Sequence, residues 1–422
     1  MRILFLTHYF PPEVNAPASR TFENASRWVA AGHRVTVVTC APNHPKGVLY
    51  PGYRNRWFKR ERIDGIDVVR IKTYLSANEG FLSRILNYLS YFFAVLLFSP
   101  WLGGADVVVS TTPQFFCGLA GFPVSRLKRA PWVLEVRDLW PESIIAVGAI
   151  RNRLLIAMLE GLEGFMYRGA SLVVSVTDSF TTHIEKRGVP GERVRVVKNG
   201  ADLARFVAAP RHNRFREELG VGEAFIASYV GTHGMAHSLV TVLDAAELLR
   251  ERSDIVFLLV GDGAEREFLL RERERRTLAN VIMLGQQPKE RMPEILAASD
   301  ACLVHLKRND LFKTVIPSKI FEAMAMARPI LLGVEGESRR LVEEGECGLG
   351  FEPENPEQLA RAVALLADSP SLSEQLGASG RDFVRRKFNR ETLALRYLEL
   401  LQGAGVRGEG VLRGELGPDG GY

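Results

Sequence analysis

Short apolar, β-branched-rich runs recur along this chain with helical stretches between them, and they come in two series. The first is Ile3-Leu-Phe-Leu6, Arg34-Val-Thr-Val-Val-Thr39, Ile66-Asp-Val-Val-Arg-Ile71, Val107-Val-Val-Ser110, Trp132-Val-Leu-Glu-Val136, Leu172-Val-Val-Ser175 and Val194-Arg-Val-Val197. The second is Ala227-Ser-Tyr-Val230, Ile255-Val-Phe-Leu-Leu-Val260, Val281-Ile-Met-Leu284, Ala301-Cys-Leu-Val304, Pro329-Ile-Leu-Leu332 and Gly348-Leu-Gly-Phe351. Strands apolar on both faces, spaced by helices, predict a doubly wound parallel α/β sheet for each series. The turn Lys198-Asn-Gly-Ala-Asp202 and an Arg-rich segment to about Arg216 separate them. The expectation is two tandem Rossmann-like domains, residues 1–200 and 201–384. A helix at about 385–402 is expected to pack back on the first, and the Gly- and charge-rich 403–422 to form a mobile tail. Open α/β sheets bind ligands outside the carboxyl ends of their strands, so two such domains are expected to face a central cleft.

At 422 residues, 46% hydrophobic and 24% charged, the chain has room for two cores and is neither disordered nor fibrous. The net charge of +5, from 54 Lys and Arg against 49 Asp and Glu, is too small an excess to imply a nucleic-acid partner. Cys40, Cys117, Cys302 and Cys347 lack disulfide or metal spacing and read as structural thiols in a reducing cytoplasm. The opening Met1-Arg-Ile-Leu-Phe-Leu-Thr-His8 has too short an apolar run for a signal peptide and reads as a buried first strand.

Two stretches bear on membranes. Arg54, Arg56, Lys59, Arg60 and Arg62 cluster among Tyr53, Trp57 and Phe58, a patch suited to anionic lipid or a phosphorylated ligand, or simply a solvated loop. Ile85 to Ala105 carries no charge and is loaded with Tyr88, Tyr91, Phe92, Phe93, Phe98 and Trp101. A buried crossover helix, a helix in a bilayer surface and a span are the open readings; the first two can hold together on different faces.

Five segments have the residue types of a phosphate and polyol site. Ile316-Pro-Ser-Lys-Ile-Phe-Glu-Ala-Met-Ala-Met-Ala-Arg-Pro-Ile330 reads as a short helix with Lys319 and, a turn on, Glu322. The loop His8 to Arg20 leads from a strand into a helix from about Thr21, without a dinucleotide fingerprint or P-loop. Glu135-Val-Arg-Asp-Leu-Trp-Pro-Glu142 places Arg137 and Asp138 at a strand end, where Arg can fork onto phosphate and Asp can act as a base, or the two can merely pair. Val260-Gly-Asp-Gly-Ala-Glu-Arg266 and Asn280-Val-Ile-Met-Leu-Gly-Gln-Gln-Pro288 could present backbone to a nucleobase.

Tyr9-Phe-Pro-Pro-Glu13, Asn199-Gly-Ala-Asp202 with Phe206, Val260-Gly-Asp-Gly263, Asn280-Val-Ile-Met-Leu-Gly285 and Phe321-Glu-Ala-Met-Ala325 together resemble glycosyltransferase family 4, the retaining sugar transferases of GT-B architecture, from about Arg2 to Leu400. Arg137-Asp-Leu-Trp-Pro-Glu-Ser143 is similar, more narrowly, to bacterial transferases of O-antigen and capsule synthesis, including N-acetylfucosamine transferases. The resemblance implies transfer, with retention, of an N-acetylated or deoxy hexose from a UDP-type nucleotide sugar. The implied acceptor is an undecaprenyl-type lipid at the inner face of the cell membrane. No metal, no cofactor beyond the donor substrate and no nucleic-acid partner is implied.

It also implies residue roles. Glu322 would bind the donor ribose, while Lys319 and backbone N–H groups from Pro317 to Ile320, Ser318 included, would hold the diphosphate. Gly263 and Gln287 would lie near the base, with Gly231, Thr232, Gly261 and Asp262 lining the same site, and Asn15 and Ala16 would close the diphosphate from the other domain. Thr314 stands where many members carry a first glutamate, and Gly231-Thr-His-Gly-Met-Ala-His237 lacks their Arg and Lys, so Arg137 and Lys319 are expected to neutralise the leaving group. Asp138 is a possible auxiliary base, making Glu322, Asp138 and Arg137 the candidate catalytic set. Arg54, Arg56, Lys59, Arg60, Tyr91, Phe92 and Trp101 are the candidate membrane or acceptor residues. A sugar-nucleotide epimerase and a non-catalytic nucleotide-sugar binder are the alternatives.

Overall fold

The computed structural model describes residues 1–413 apart from 14, 45, 77–80, 147 and 149. It divides into two compact units, one of Met1–Lys198 with the chain's return from Glu391, the other Asn199–Arg390.

The first unit holds β1 (Arg2–Leu6), β2 (Arg34–Cys40), β3 (Phe58–Ile63), β4 (Ile66–Ile71), β5 (Val107–Thr111), β6 (Trp132–Val136), β7 (Leu172–Ser175) and β8 (Val194–Val196), in spatial order β3-β4-β2-β1-β5-β6-β7-β8. The second holds β9 (Phe225–Val230), β10 (Ile255–Val260), β11 (Val281–Leu284), β12 (Ala301–His305), β13 (Ile330–Gly333) and β14 (Gly348–Gly350), in order β11-β10-β9-β12-β13-β14. Every ladder is parallel except β3 with β4. That exception rules out the solvated-loop alternative for Lys59, Arg60 and Arg62, which lie on the strand. Asp64-Gly65, both at positive φ (46° and 80°), turns the chain so that Phe58–Ile63 runs back along β4 as an edge strand.

Alternate residues of the first sheet bury opposite ways. Phe5, Val37, Val109 and Val133 face Trp28 of the helix Ala16–Ala30 and Tyr397 of the helix Arg390–Arg413. Trp28 and Tyr397 meet edge-on at 5.4 Å, and the indole N–H donates to Ala394 O at 2.8 Å. The return helix thus belongs to the first core, while the helix Pro370–Lys387 stays with the second unit, moving the crossing from 384/385 to Arg390. The final helix runs to Arg413, past Gly403 where a mobile tail was expected to start; residues 414–422 lie outside the described ones. At the other end, the helix after β1 starts at Ala16 rather than Thr21, because Asn15 caps it through Ala18 N–H and Pro17 suits its first turn.

On the sheet's other face, Leu4, Leu6, Val38 and Val108 meet Tyr91, Val95, Cys117 and Val124. Tyr91 and Val95 come from the helix Phe81–Phe98, whose opposite side exposes Leu86, Phe93 and Leu97. The stretch Ser83–Leu102 is long and apolar enough to cross a membrane. Its inner side is nevertheless core, since Tyr91 is 0% exposed and donates to Val38 O at 2.7 Å. Lifting the helix into a bilayer would uncover that sheet face, at about 1.5–3 kcal/mol for each large side chain.

In the second unit, Phe257, Leu259, Leu303 and Leu331 pack on one side, and Ile226, Leu258 and Val260 meet Phe215 and Ile295 on the other. The Arg-rich segment after the hinge is part of this unit. Arg211 and the buried Arg216 both bind Asp300, at 2.8 and 3.1 Å.

Candidate active site

Three glycines shape the carboxyl edge of the second sheet. Gly231 after β9 and Gly261 and Gly263 after β10 have φ of 150°, 151° and 155°, a region L side chains rarely adopt. The space is as restrictive as the backbone. A Cβ at Gly261 would fall 1.8 Å from Gly231 O, at Gly263 2.5 Å from His233 O, and at Gly231 2.8 Å from Lys319 Nζ. His233 N–H donates to Asp262 O and Glu265 N–H to His233 O, both at 2.9 Å, stitching the two strand ends together.

Buried nitrogens without a hydrogen-bond partner among the described residues gather at this edge. Lys319 opens the helix Lys319–Ala325, its Nζ buried 3.7 Å above the Tyr229 ring with no hydrogen-bond partner among the described residues. Burial lowers its ammonium to about 7, against the pull of Glu322 and Cys302. Arg266 opens the next helix, Arg266–Arg275, and its Nε is likewise buried and unpartnered. His233 is 0% exposed with neither ring nitrogen bonded. Burial first, then Arg266 and Lys319, push it down to about 4, so it is a neutral imidazole. Burial and Lys319 also take His237 to about 3. His305 accepts from Glu354 N–H through Nε2 at 2.9 Å, which makes its Nδ1 the donor to His237 O at 2.7 Å. Buried polar groups are ordinarily satisfied, so unbonded donors clustered at strand ends suit an anion.

The other expected donor contacts fall on the same edge or near it. Glu322 is half-buried and lines a small cavity with Lys319, Ser228 and Cys302. Ser318 is the N-terminal residue of its helix without a side-chain cap bond, and Ile320 N–H is already engaged by Pro317 O at 3.1 Å, so the N–H set expected there shrinks. The Thr314 hydroxyl donates to Leu311 O at 2.6 Å. Gln287 Nε2 reaches Gly285 O at 3.3 Å, Asp262 accepts from Gly263 N–H at 2.8 Å, and Thr232 is exposed, its carbonyl taking the Tyr229 hydroxyl at 2.9 Å.

The remaining candidates lie in the first unit. Asn15 caps its helix through Oδ1, leaving Nδ2 buried and unpartnered, with Ala16 exposed beside it. Arg137 N–H donates to Thr112 Oγ1 at 2.9 Å and its guanidinium lies 3.4 Å from Pro17 O. Asp138 is half-buried; desolvation of its carboxyl outweighs Ser143 and Leu139 N–H and pushes it up to about 6. That value suits a base at neutral pH. Of the membrane set, Arg54, Arg56, Arg60 and Trp101 are exposed, and Arg60 donates to Trp101 O at 2.6 Å. Lys59 is tied to Glu61 at 2.7 Å, Phe92 is half-buried, and Tyr91, as core, cannot touch lipid. Leu86, Phe93 and Leu97 are the side chains its helix turns outward.

Glu142, Glu163 and His183 place ligand-type atoms within 4.8 Å of one another. Arg187 already binds two of the trio, at 2.9 Å to Glu142 and 3.1 Å to Glu163, and His183 lies 3.0 Å from Glu163, so the cluster reads as an ion-pair network. Sequence reasoning missed His233 and Arg266. Arg266 had a usable signal, a helix opening three residues past a Gly-Asp-Gly turn; His233 looked like one more residue of a loop.

Residues 15–200 match the glycosyl transferase 4-like domain and residues 211–383 the glycosyl transferases group 1 domain. Two parallel Rossmann-like sheets carrying these domains make the chain a GT4-type glycosyltransferase of GT-B fold. Among its relatives, the putative colanic acid biosynthesis glycosyl transferase WcaI of Escherichia coli K12 is 24% identical over 96% of this chain and 100% of its own. Among solved structures, sucrose-phosphate synthase from Thermosynechococcus elongatus superposes with a TM-score of 0.76 at 17% identity, over 96% of this chain and 99% of that one. HepE of Anabaena, in complex with UDP-glucose, does so at 0.71 and 18%, over 96% and 100%.

Proposed function

We propose that this glycosyltransferase moves an N-acetylated or deoxy hexose, with retention, from a UDP-sugar to an undecaprenyl-type lipid-linked acceptor of a bacterial surface polysaccharide, at the inner face of the cell membrane. The observation that carries the donor half is the set of buried, unbonded donors at one strand edge: Lys319 Nζ, Arg266 Nε and His233. Leaving such groups unsatisfied costs about 1–3 kcal/mol each, more for the charged ones, and a diphosphate would recover it. The UDP-glucose complex of HepE favours UDP, and the name of WcaI favours a surface polysaccharide.

In this reading Glu322 accepts from the ribose hydroxyls, while Lys319 and Arg266 hold the diphosphate as its charge grows on the breaking anomeric C–O bond. Fixed cations in a dry pocket stabilise that charge without reorganising, which lowers the barrier rather than only tightening the ground state. The acceptor hydroxyl attacks from the face the diphosphate leaves, giving up its proton to a phosphate oxygen or to Asp138. The outward Leu86, Phe93, Leu97 and Trp101, with Arg60 bonded to the Trp101 carbonyl and Arg54 and Arg56 exposed on the same unit, form the surface that meets anionic lipid. A panel of UDP-, GDP- and TDP-sugars with membrane extract tests the reaction. Label should pass from a UDP-sugar to lipid, and Glu322→Ala should weaken donor binding; donor binding without any turnover would refute the transferase reading.

A further inference from the structure

The helix Arg153–Gly169 of the first unit carries an apolar stripe that its own fold leaves uncovered. Its inward side is core, with Leu159, Glu163, Met166 and Tyr167 buried at helical spacing. The opposite side repeats that spacing with Leu154, Met158 and Phe165 exposed, and Ala157 and Gly161 exposed between them. Leu154 is 84% exposed. At 1.5 Å per residue the stripe runs about 16 Å, a continuous patch rather than scattered surface residues.

The stripe faces the same way as the outward side of the helix Phe81–Phe98. The steps from β4 to β5, β5 to β6 and β6 to β7 all cross the sheet in one direction. Right-handed crossovers therefore put the helices Phe81–Phe98, Phe115–Lys128 and Arg153–Gly169 in one layer on one face. The packing agrees, since a Cβ at Gly118 of the middle helix would meet Leu134 of the sheet at 3.5 Å and Met166 at 3.6 Å. On the outer side Phe122 of the middle helix meets Phe165 at 4.8 Å, and Leu127 is exposed near that helix's end.

Charge says what covers the layer. The helices Phe81–Phe98 and Phe115–Lys128 contain no Asp or Glu, and the two acids of the third, Glu160 and Glu163, are held by Arg187 at 3.4 and 3.1 Å. Arg126, Arg129, Arg151 and Arg153 are exposed at the ends of the second and third helices. A protein partner needs hydrogen-bonding groups at fixed points, whereas an anionic bilayer needs apolar depth and a diffuse positive rim, which is what this layer offers. We propose that the helix Arg153–Gly169 is a second bilayer contact, in which Leu154, Met158 and Phe165 enter an anionic leaflet while Arg126, Arg129 and Arg153 meet its headgroups. The inference rests on the membrane contact proposed for Leu86, Phe93 and Leu97 and deepens it. The first unit then lies with its helix layer flat on the membrane, and its sheet stands about 10 Å, one helix diameter, above the lipid.

Sedimentation of the full chain with mixed phosphatidylethanolamine–phosphatidylglycerol vesicles reads the contact, with phosphatidylcholine vesicles as the uncharged arm. Leu154→Ser with Met158→Ser should cut partitioning to the mixed vesicles about tenfold and leave the melting temperature unchanged, because both side chains are already in water in the free protein. Arg129→Gln with Arg153→Gln should cut it roughly fivefold per charge and leave phosphatidylcholine binding as it was. All four native cysteines are buried, so an environment-sensitive dye on Leu154→Cys reports that position, and it should brighten on the mixed vesicles. Partitioning unchanged by the Ser pair, or a dye that stays dim on vesicles the protein binds, overturns this contact and leaves the one at Phe93 and Leu97 standing. Absence of vesicle binding by the unaltered chain sinks both. Self-association that the Ser pair abolishes would assign the stripe to a second copy of the chain and likewise overturns the bilayer contact.

Discussion

The two sheets are built alike, yet one charge cluster at the carboxyl edge of each is handled in the opposite way. In the first unit Arg20 and Glu135 are both nearly inaccessible and bind each other at 2.9 Å, with Thr111 adding a hydrogen bond to the carboxylate at 2.8 Å. Glu13 accepts the backbone N–H groups of Phe10, Asn43 and His44. In the second unit Lys319 Nζ, Arg266 Nε and both His233 ring nitrogens have no hydrogen-bond partner among the described residues, and the one ion pair of Arg266 is a long 3.8 Å approach to the exposed Glu267. A buried charge closed by its own chain serves the fold, and a buried charge left open serves whatever fills the site.

That contrast breaks most sharply by deleting one charge from each side. Glu135→Ala leaves the Arg20 charge buried without its carboxylate, so denaturant unfolding should show a loss of about 3–5 kcal/mol. Lys319→Met removes an unpartnered cation, so unfolding should shift little or toward greater stability. Its steady-state kcat/KM should nevertheless fall about 10²–10³-fold, or about 2.7–4 kcal/mol. If Lys319→Met destabilised like Glu135→Ala, the contrast would be wrong. Arg266→Gln should weaken UDP binding about tenfold, about 1.4 kcal/mol by calorimetry.

Acidity sharpens the same comparison. The Lys319 ammonium, lowered to about 7, must be charged to hold a diphosphate, so UDP-sugar affinity should be full below pH 7. It should fall by about tenfold per pH unit above that until the pKa of the occupied site is reached. A UDP-sugar is the proper ligand because its diphosphate diester does not titrate there. Lys319→Arg should flatten the profile, and a wild-type affinity that rises with pH would contradict the assignment. The smallest effect separates the two faces of the helix Phe81–Phe98. Tyr91→Phe should cost about 1 kcal/mol of stability and leave liposome binding intact, whereas Phe93→Ser with Leu97→Ser should reduce binding to anionic vesicles and leave stability nearly unchanged.

The strands were legible because parallel strands buried on both faces are continuous apolar runs, and each of the thirteen runs read as a strand coincides with a strand of the two sheets. Phe58–Ile63 escaped because its Lys, Arg and Glu belong to an edge strand with one wet side, although Asp64-Gly65 between Ile63 and Ile66 was a hairpin signal. The outward face of the aromatic helix was misjudged because aromatic density marks apolarity, not direction. Tyr91 points in to Val38 and Phe93 points out, two residues apart. At the candidate site, Lys319 and Glu322 were readable from a short helix with two opposite charges, but their meaning came from His233 and Arg266. Those side chains join Lys319 only through the crossing of β9 and β10 ends, which no local spacing encodes.

The central claim is that the open cations of the second domain are a diphosphate site, and titrating UDP into the full chain at pH 7 tests it most directly. UDP should bind saturably, and Lys319→Met and Arg266→Gln should each weaken it about tenfold or more with the melting temperature preserved. Equal UDP affinity in all three proteins would contradict it.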